Sequence, residues 1–519
     1  MKTICKSISK TIYLSLIAGV VFTSCTKKFD EINTNPDKST STSASALATS
    51  MITSITSSDI GGTKTFMGPF MMGKSILWTE QQEGTQYNKI SRTDFSRLEV
   101  LRNVPVMLQY AAGLTDGSQP SYEALGHFLR AWEFFYTTMT VGDIPYADAI
   151  KGESDGVIKP KYDSQKEVFA GILNELDSAN TLFGQGTDFE GDFIYDGDVS
   201  KWQKLTNSFE LYVLMQLYKH TDDSDLKVKE RFKTIATTRN LMSSYEDNFA
   251  LTYQNAGGLC YPWSNTAVQV NSFVIYPVVG RNLIDPLKET KDRRLFYFTE
   301  PAAAKIAAGL TADNYDAYIG VEASDPLNKI KLAHDEKLFC DVNKRYVDLF
   351  NAEPVGVFNY WQLQFILAEA AVRGWLPTSE AESYYEKGIR SNMEFLVSHT
   401  EDSYTHGMPI TESYISGFLP SVQLSGDTEH KIEQIITQQY IAGFMQDANN
   451  TAWFENRRTG YPTFILNSST NLNQPNTGFP KRWLYPQNEL DHNSENVAAA
   501  IESQYGGNDN VNSLMWILK

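Results

Sequence analysis

The stretch from Tyr360 to Val397, YWQLQFILAEAAVRGWLPTSEAESYYEKGIRSNMEFLV, decides the fold. In its first half Leu363, Ile366, Leu367, Ala370, Ala371 and Gly374 recur at the spacing of one face of a 3.6-residue helix. Ala381, Tyr384, Tyr385, Gly388, Ile389, Asn392, Met393 and Leu396 repeat that spacing, which predicts a second helix. Between them Gly374 suits a left-handed helix end, Pro377 blocks continuation, and Ser379 with Glu382 reads as a capping box. So short a turn sets the helices antiparallel. Ala368, Ala370, Ala371 and Gly388 on the facing sides allow close approach, as in a tetratricopeptide hairpin without its full consensus. One pair cannot bury its own apolar face, so the chain must supply others to stack on it.

Outward from that hairpin, 519 residues with 42% hydrophobic content provide an ample core. Residues 1–24 stand apart, because Lys2, Lys6 and Lys10 precede an apolar run from Ile12 to Phe22 that stops at Thr23, Ser24 and Cys25. This is the pattern of a secretory signal, with Cys25 placed to accept a lipid. Residues 25–45 then read as a polar, lipid-anchored tether, and 46–519 as a single domain. Removing the signal takes the net charge from −17 to −20, which argues against a nucleic-acid partner. Beyond the signal no run is apolar for long enough to cross a bilayer. Cys260 and Cys340 remain in a compartment that permits disulfides, and spacing leaves both a bridge and two buried thiols open.

Along the chain Leu47, Met51, Ile52 and Ile55 predict an early helix. Gly68 to Ser75, GPFMMGKS, matches the P-loop letter for letter, but Pro69 lacks an N–H donor and Phe70, Met71 and Met72 are bulky for a phosphate cradle. The stretch is expected to be core helix. Leu125 through Met139 predicts a deeply buried helix, and Ser164 with Glu167 caps another running to Leu182. GESDG at Gly152 fits the nucleophile-elbow letters without the strand and helix that motif needs, and is expected to be a solvated loop. Further helices follow at Trp202–Gln216 and Ile432–Phe444, and two long irregular excursions at about 241–359 and 398–427 separate the hairpins. The fold class is mainly all-α, a tetratricopeptide-like superhelix of helical hairpins.

Seven further motifs occur in order: Asn33-Thr34-Asn35-Pro36, GDIPYADA from Gly142, KYDSQ from Lys161, YDGDVSKW from Tyr195, AEAAVRGW from Ala368, RRTGYP from Arg457, and Arg482 with Tyr485-Pro486 and Glu489. In these the chain resembles the SusD/RagB outer-membrane lipoproteins over nearly its whole mature length. It is most similar to the branch carrying NTNP and RRTGYP. It departs at Glu210, where that branch tends to show a basic residue, and at Gln438-Gln439-Tyr440, where a Lys-Trp pair is common. The resemblance implies a non-catalytic nutrient binder at the outer membrane, facing the cell exterior. It also implies four helical hairpins, excursions that carry ligand contacts, a SusC-like TonB-dependent transporter as partner, commonly a glycan as ligand, and no cofactor.

Sugar recognition uses flat aromatic rings beside amides and carboxylates. Trp132, Trp202, Trp361 and Tyr384 sit on core spacing. Trp78 and Tyr87 instead flank the polar run TEQQEGTQYN with Gln82, and Tyr261 and Trp263 flank Pro262 before Asn265. These two regions are where the resemblance places ligand contacts. They are expected to converge on one exposed platform, with Tyr315 and Tyr318 as the next candidates. No His or Cys spacing suits zinc, and the acidic run Asp188 to Asp198 lacks EF-hand spacing and is expected to be a solvated turn. The alternatives to a glycan carrier are a glycan-degrading surface enzyme on the same scaffold, a peptide binder, and a structural membrane protein.

Overall fold

The computed structural model describes residues 42–59, 64–264, 275–446 and 449–519. Its principal helices, in order, are α1 (Ala44–Asp59), α2 (Lys64–Met72), α3 (Asn103–Ala111), α4 (Gln119–Val141), α5 (Gln165–Phe183) and α6 (Val199–Gln216). After these come α7 (Val228–Thr238), α8 (Arg281–Glu289), α9 (Tyr360–Val372), α10 (Ala381–His399), α11 (Thr428–Ala442) and α12 (Thr451–Thr459). Helix α4 packs along α5, α5 on α6, α6 on both α7 and α9, and α9 on both α10 and α11. The fold is therefore mainly α, with hairpins stacked so that each covers the apolar face of the one before it. Residues Ala44–Lys519 form one unit.

Local sequence explains the helix boundaries. Ser164 caps α5 by accepting from the Glu167 N–H, while Glu167 reaches back to the Ser164 N–H, the reciprocal box expected there. Asp198 caps α6 through the N–H groups of Ser200 and Lys201. Gly374, at φ +72°, takes the left-handed turn after α9. The second cap expected in that hairpin does not form. Ser379 lies inside a 3-10 turn, Thr378–Glu380, and the Glu382 carboxylate turns outward to accept the Leu424 N–H at 3.1 Å. Gly388 does mark close approach, since a Cβ there would meet the Phe365 ring at 2.6 Å.

The core between α4 and α6 is aromatic. Trp132 and Phe209 have ring centroids 4.5 Å apart, and Phe128 meets Trp202 edge-on at 5.4 Å. Each such pair contributes about 0.5–1.5 kcal/mol beyond its buried area. Trp132, Trp202 and Trp361 are buried as their spacing predicts, and Tyr384 is half-buried with its hydroxyl donating to Glu380.

Sequence periodicity missed four short strands: β1 (Ile76–Trp78), β2 (Phe249–Leu251), β3 (Pro277–Val279) and β4 (Val355–Phe358). β1 pairs antiparallel with β3, setting Leu77 opposite Val278, and β2 pairs antiparallel with β4. Three or four residues are too few for an alternation to register. These two ladders pin the excursion 241–359 onto itself and onto the segment after α2.

Both decoy motifs resolve as structure. GPFMMGKS is the end of α2 and its turn, and Lys74 is buried with its amine donating to the Gln86 carbonyl at 2.6 Å and Asn88 Oδ1 at 2.8 Å. Gly152–Asp155 is a single exposed helical turn. The acidic run differs from expectation, because Asp192 is buried and is no part of a solvated turn. Its carboxylate accepts the N–H groups of Ile194, Tyr195 and Gly197 and the Trp202 indole N–H at 2.8–3.1 Å, which ties the loop to α6. Cys260 and Cys340 are free thiols. No group of acidic, His or Cys side chains among the described residues is arranged to hold a metal, and no described helix is long and apolar enough to cross a membrane.

Candidate functional site: an acidic cleft between the excursions

A cleft of about 610 Å³ lies where both excursions meet α11. One wall is α8, with Arg281, Asn282, Asp285 and Glu289, beside Glu322. Gln423 and Ser425 close it from the second excursion, and Tyr461, Pro462, Thr463 and Ile465 from the segment after α12. The floor is the polar face of α11, where His430, Glu433, Gln434, Thr437 and Gln438 follow one another at helical spacing. That stripe is the reverse of Ile432, Ile435 and Ile436, which face the core.

Hydrogen bonds hold this lining in place. Gln434 accepts the Ser425 N–H at 2.9 Å and donates to the Gln423 carbonyl at 3.2 Å, fixing the second excursion to α11. Asn282 donates to the Thr463 carbonyl at 3.0 Å, and Gln438 accepts from the buried Arg294. The Arg281 guanidinium donates to Asp285 at 2.8 Å, which raises its pKa further above the ordinary arginine value. A single arginine thus stands against Asp285, Glu289, Glu322 and Glu433, so the cleft carries negative charge. Amides, hydroxyls and carboxylates dominate it, with a half-buried Tyr461 ring and the exposed Ile465 at its edge. Such a lining hydrogen-bonds hydroxyls from several sides and repels anions.

Behind the cleft lies a small recess that shares Asn282, Glu322 and Ile465 with it and is lined also by Lys74, Tyr87, Asn88 and Asn471. Burial pushes the Lys74 amine down to about 7 there.

The expected aromatic platform does not form. Trp78 lies on β1, buried, its ring tilted against Tyr276 at 5.4 Å and its indole N–H donating to Glu80. Tyr87 is buried, and its hydroxyl donates to the Asp325 carbonyl at 3.0 Å. Tyr261 and Trp263 are fully buried, both edge-on to Phe66 at 6.2 Å, with Tyr261 also against Tyr253 and Tyr346. Lack of a helical period does not put a residue in solvent, because a loop crossing a large core needs bulky anchors as much as a helix does. Gln82 is exposed, as expected, while Asn265 and Cys25 lie outside the described residues. Tyr318 is buried and Tyr315 half-buried, its hydroxyl donating to the Lys291 carbonyl. The sequence signal for the cleft residues is the polar stripe of α11, His430, Glu433, Gln434, Thr437 and Gln438 at helical spacing.

The motifs that carry the resemblance are knots of the fold. Arg458 pairs with both Glu369 oxygens at 2.6 and 2.7 Å and with Glu455, clamping α12 to α9. Burial alone would raise the Glu369 carboxyl, but Arg458 and then Arg373 hold it down to about 2. Arg457 donates to the carbonyls of Met139 and Lys481. The Tyr485 hydroxyl reaches the Asp143 carbonyl at 2.8 Å, and Tyr162 donates to Glu489 at 2.8 Å. Arg482 is buried against Asp509. Glu210, the other departure, is buried and accepts from Arg239 at 2.8 Å.

Comparison with known proteins places this mainly helical scaffold in one family. The family described as starch-binding and associating with the outer membrane, SusD-like, matches residues 36–486. A SusD homolog from Bacteroides fragilis is 43% identical, covering 92% of this chain and all of its own, with a TM-score of 0.88. A second B. fragilis SusD homolog is 34% identical over 92% of this chain and all of its own, with a TM-score of 0.80. A Bacteroides vulgatus protein whose name couples the outer membrane with nutrient binding is 30% identical over the same shares, with a TM-score of 0.81. No curated protein matches. The chain belongs to this SusD-like family, described as associating with the outer membrane.

Proposed function

We propose that the protein is a surface lipoprotein that binds a glycan in the acidic cleft and passes it to a SusC-like TonB-dependent transporter. The cleft chemistry carries the reading: amides and carboxylates for hydroxyls, a tyrosine ring and Ile465 at the rim, and a charge that disfavours polyanionic ligands. A neutral oligosaccharide is the expected ligand. The chain acts as a carrier, not a catalyst, so incubation with its glycan leaves reducing ends constant. Trp78, Tyr87, Tyr261 and Trp263 act indirectly in this reading, by anchoring the loops around the cleft, with Gln82 and Asn265 as outlying polar positions.

The test is calorimetry against a panel of neutral and uronic-acid oligosaccharides. A neutral glycan should bind, and Tyr461→Ala should weaken it at least about tenfold with an unchanged melting temperature, as loss of a contact ring at a hot spot does. Selective binding of cationic peptides would transfer the reading to a peptide carrier, for which the acidic lining also has the right sign. Release of reducing ends would indicate an enzyme.

Anchorage and partner belong to the same proposal. Residues 1–24 act as the signal, Cys25 is acylated, 25–45 form the tether and 46–519 the binding domain. One acyl chain binds membranes only marginally, so more than one is expected on Cys25. Mass spectrometry of native protein checks this, and a Cys25→Ala variant still held in the membrane would refute it. Purification in mild detergent should bring down a large β-barrel in near-equal amount across an interface above ~2,000 Å².

A further inference from the structure

Two polar side chains that line the acidic cleft are almost wholly buried. Gln438 on α11 and Tyr385 on α10 have only 4% and 2% of their surface exposed. Each carries one side-chain polar atom that no described residue engages, the Gln438 amide nitrogen and the Tyr385 hydroxyl oxygen. Both atoms nevertheless remain open to solvent, and the cleft is a space that both residues line. A donor held so deep is costly to leave unpaired, so such groups await water or a ligand.

The Gln438 amide is oriented from behind. Arg294 is fully buried, paired with Asp292 at 2.6–3.1 Å and donating to Asn392 Oδ1 at 3.0 Å. A guanidinium offers donors and no acceptor, so Gln438 can turn only its oxygen toward Arg294. Its N–H donors are left for the cleft. Tyr385 is held by its ring, edge-on to Phe365 at 6.3 Å. Burial raises its phenol above the ordinary value, so the hydroxyl keeps its proton and can donate. Other amides of the lining are committed to the scaffold, Gln434 at both ends to the second excursion and the Asn282 nitrogen to Thr463.

We propose that Gln438 and Tyr385 are ligand contacts that set the specificity of the cleft, each donating to an uncharged ligand oxygen such as a sugar hydroxyl. The assignment rests on the reading of the cleft as a glycan site and deepens it. Ionised Asp285, Glu289, Glu322 and Glu433 can only accept, so these two residues supply buried donors in a lining rich in acceptors. A ligand without an oxygen at those points leaves both donors unpaired and is rejected on that account.

Two substitutions separate the contacts from the fold. Tyr385→Phe removes a hydroxyl that bonds nothing in the described protein, and Gln438→Glu keeps an oxygen for Arg294 while replacing the donor by an acceptor. Calorimetry of the mature protein with maltohexaose, cellohexaose, xylohexaose and mannohexaose selects a neutral probe that binds the wild type. Tyr385→Phe should weaken that probe about tenfold at an unchanged melting temperature, and Gln438→Glu should weaken it at least as much. Wild-type affinity in either folded variant would overturn the assignment and leave the glycan reading standing. Early melting of Tyr385→Phe would also overturn it, since the hydroxyl would then serve the fold. Failure of the wild type to bind any of the four probes would take down the glycan reading and this assignment together. Should Gln438→Glu fail to fold, Tyr385→Phe decides alone.

Discussion

Trp263→Ala separates a loop anchor from a ligand-facing ring. Trp263 is fully buried and meets Phe66 edge-on, so its removal leaves a cavity as well as losing transfer free energy. Such truncations cost about 3–5 kcal/mol. Unfolding entropy is about 2.1 cal/mol/K per residue near the transition, hence on the order of 1 kcal/mol/K for a unit the length of Ala44–Lys519. The variant should therefore melt about 3–5 °C early by differential scanning calorimetry. Its affinity for the cleft ligand, measured below that transition, should stay within about twofold of wild type, since the ring does not line the cleft. A tenfold loss of affinity at an unchanged melting temperature would refute the argument and return the binding site to the aromatic segments.

Lys74 should give a pH signature. Its pKa falls from 10.5 to about 7 on folding, so between those values the unfolded chain holds more protons and stability rises with pH, by up to about 1.4 kcal/mol per pH unit. Urea titrations between pH 7 and 9 should show a slope that Lys74→Met removes; an unchanged slope in the variant would contradict the burial argument. Arg458→Met should destabilise by about 3–5 kcal/mol, because it leaves Glu369 and Glu455 buried with a cation removed. Arg458 holds the Glu369 carboxyl well below the ordinary value while burial raises Glu455, so the share of this knot carried by Glu369 is present above about 4.5 and is lost as pH falls below it, and the gap between wild type and variant should narrow in acid. A gap independent of pH would argue that Arg458 matters through packing alone.

What could be read without coordinates follows from how many residues repeat a signal. The hairpin α9–α10 announces itself through apolar and small positions at helical spacing, and each helix of the stack does the same. Strands of three or four residues, such as β1 to β4, offer nothing to repeat. Asp192 illustrates a second blind spot. An acid in a Gly-rich acidic run looks solvated, yet its four donors come from the same loop and from Trp202, a pairing that depends on the loop's closed path and not on composition. Aromatic residues off a helical period carry no sequence sign of the core that lies beneath their loop. Tyr261 shows what that omits, with three ring neighbours drawn from positions 66, 253 and 346.

The same reasoning explains why family membership was plain and the site was not. Arg458, Glu369, Tyr485 and Tyr162 are legible as motifs because each holds two distant segments together, and a change at any of them leaves a buried or half-buried partner unpaired. Residues such as His430, Glu433, Thr437 and Gln423 line the cleft without holding the core, so packing places few demands on them. They stand on α11, whose opposite face of isoleucines fixes its position, and on an excursion that Gln434 ties down through two backbone groups. The scaffold can thus keep its knots while the polar stripe of α11 is rewritten for another ligand. On the function proposed above, the ligand is to be sought along the α11 stripe of His430, Glu433, Gln434, Thr437 and Gln438.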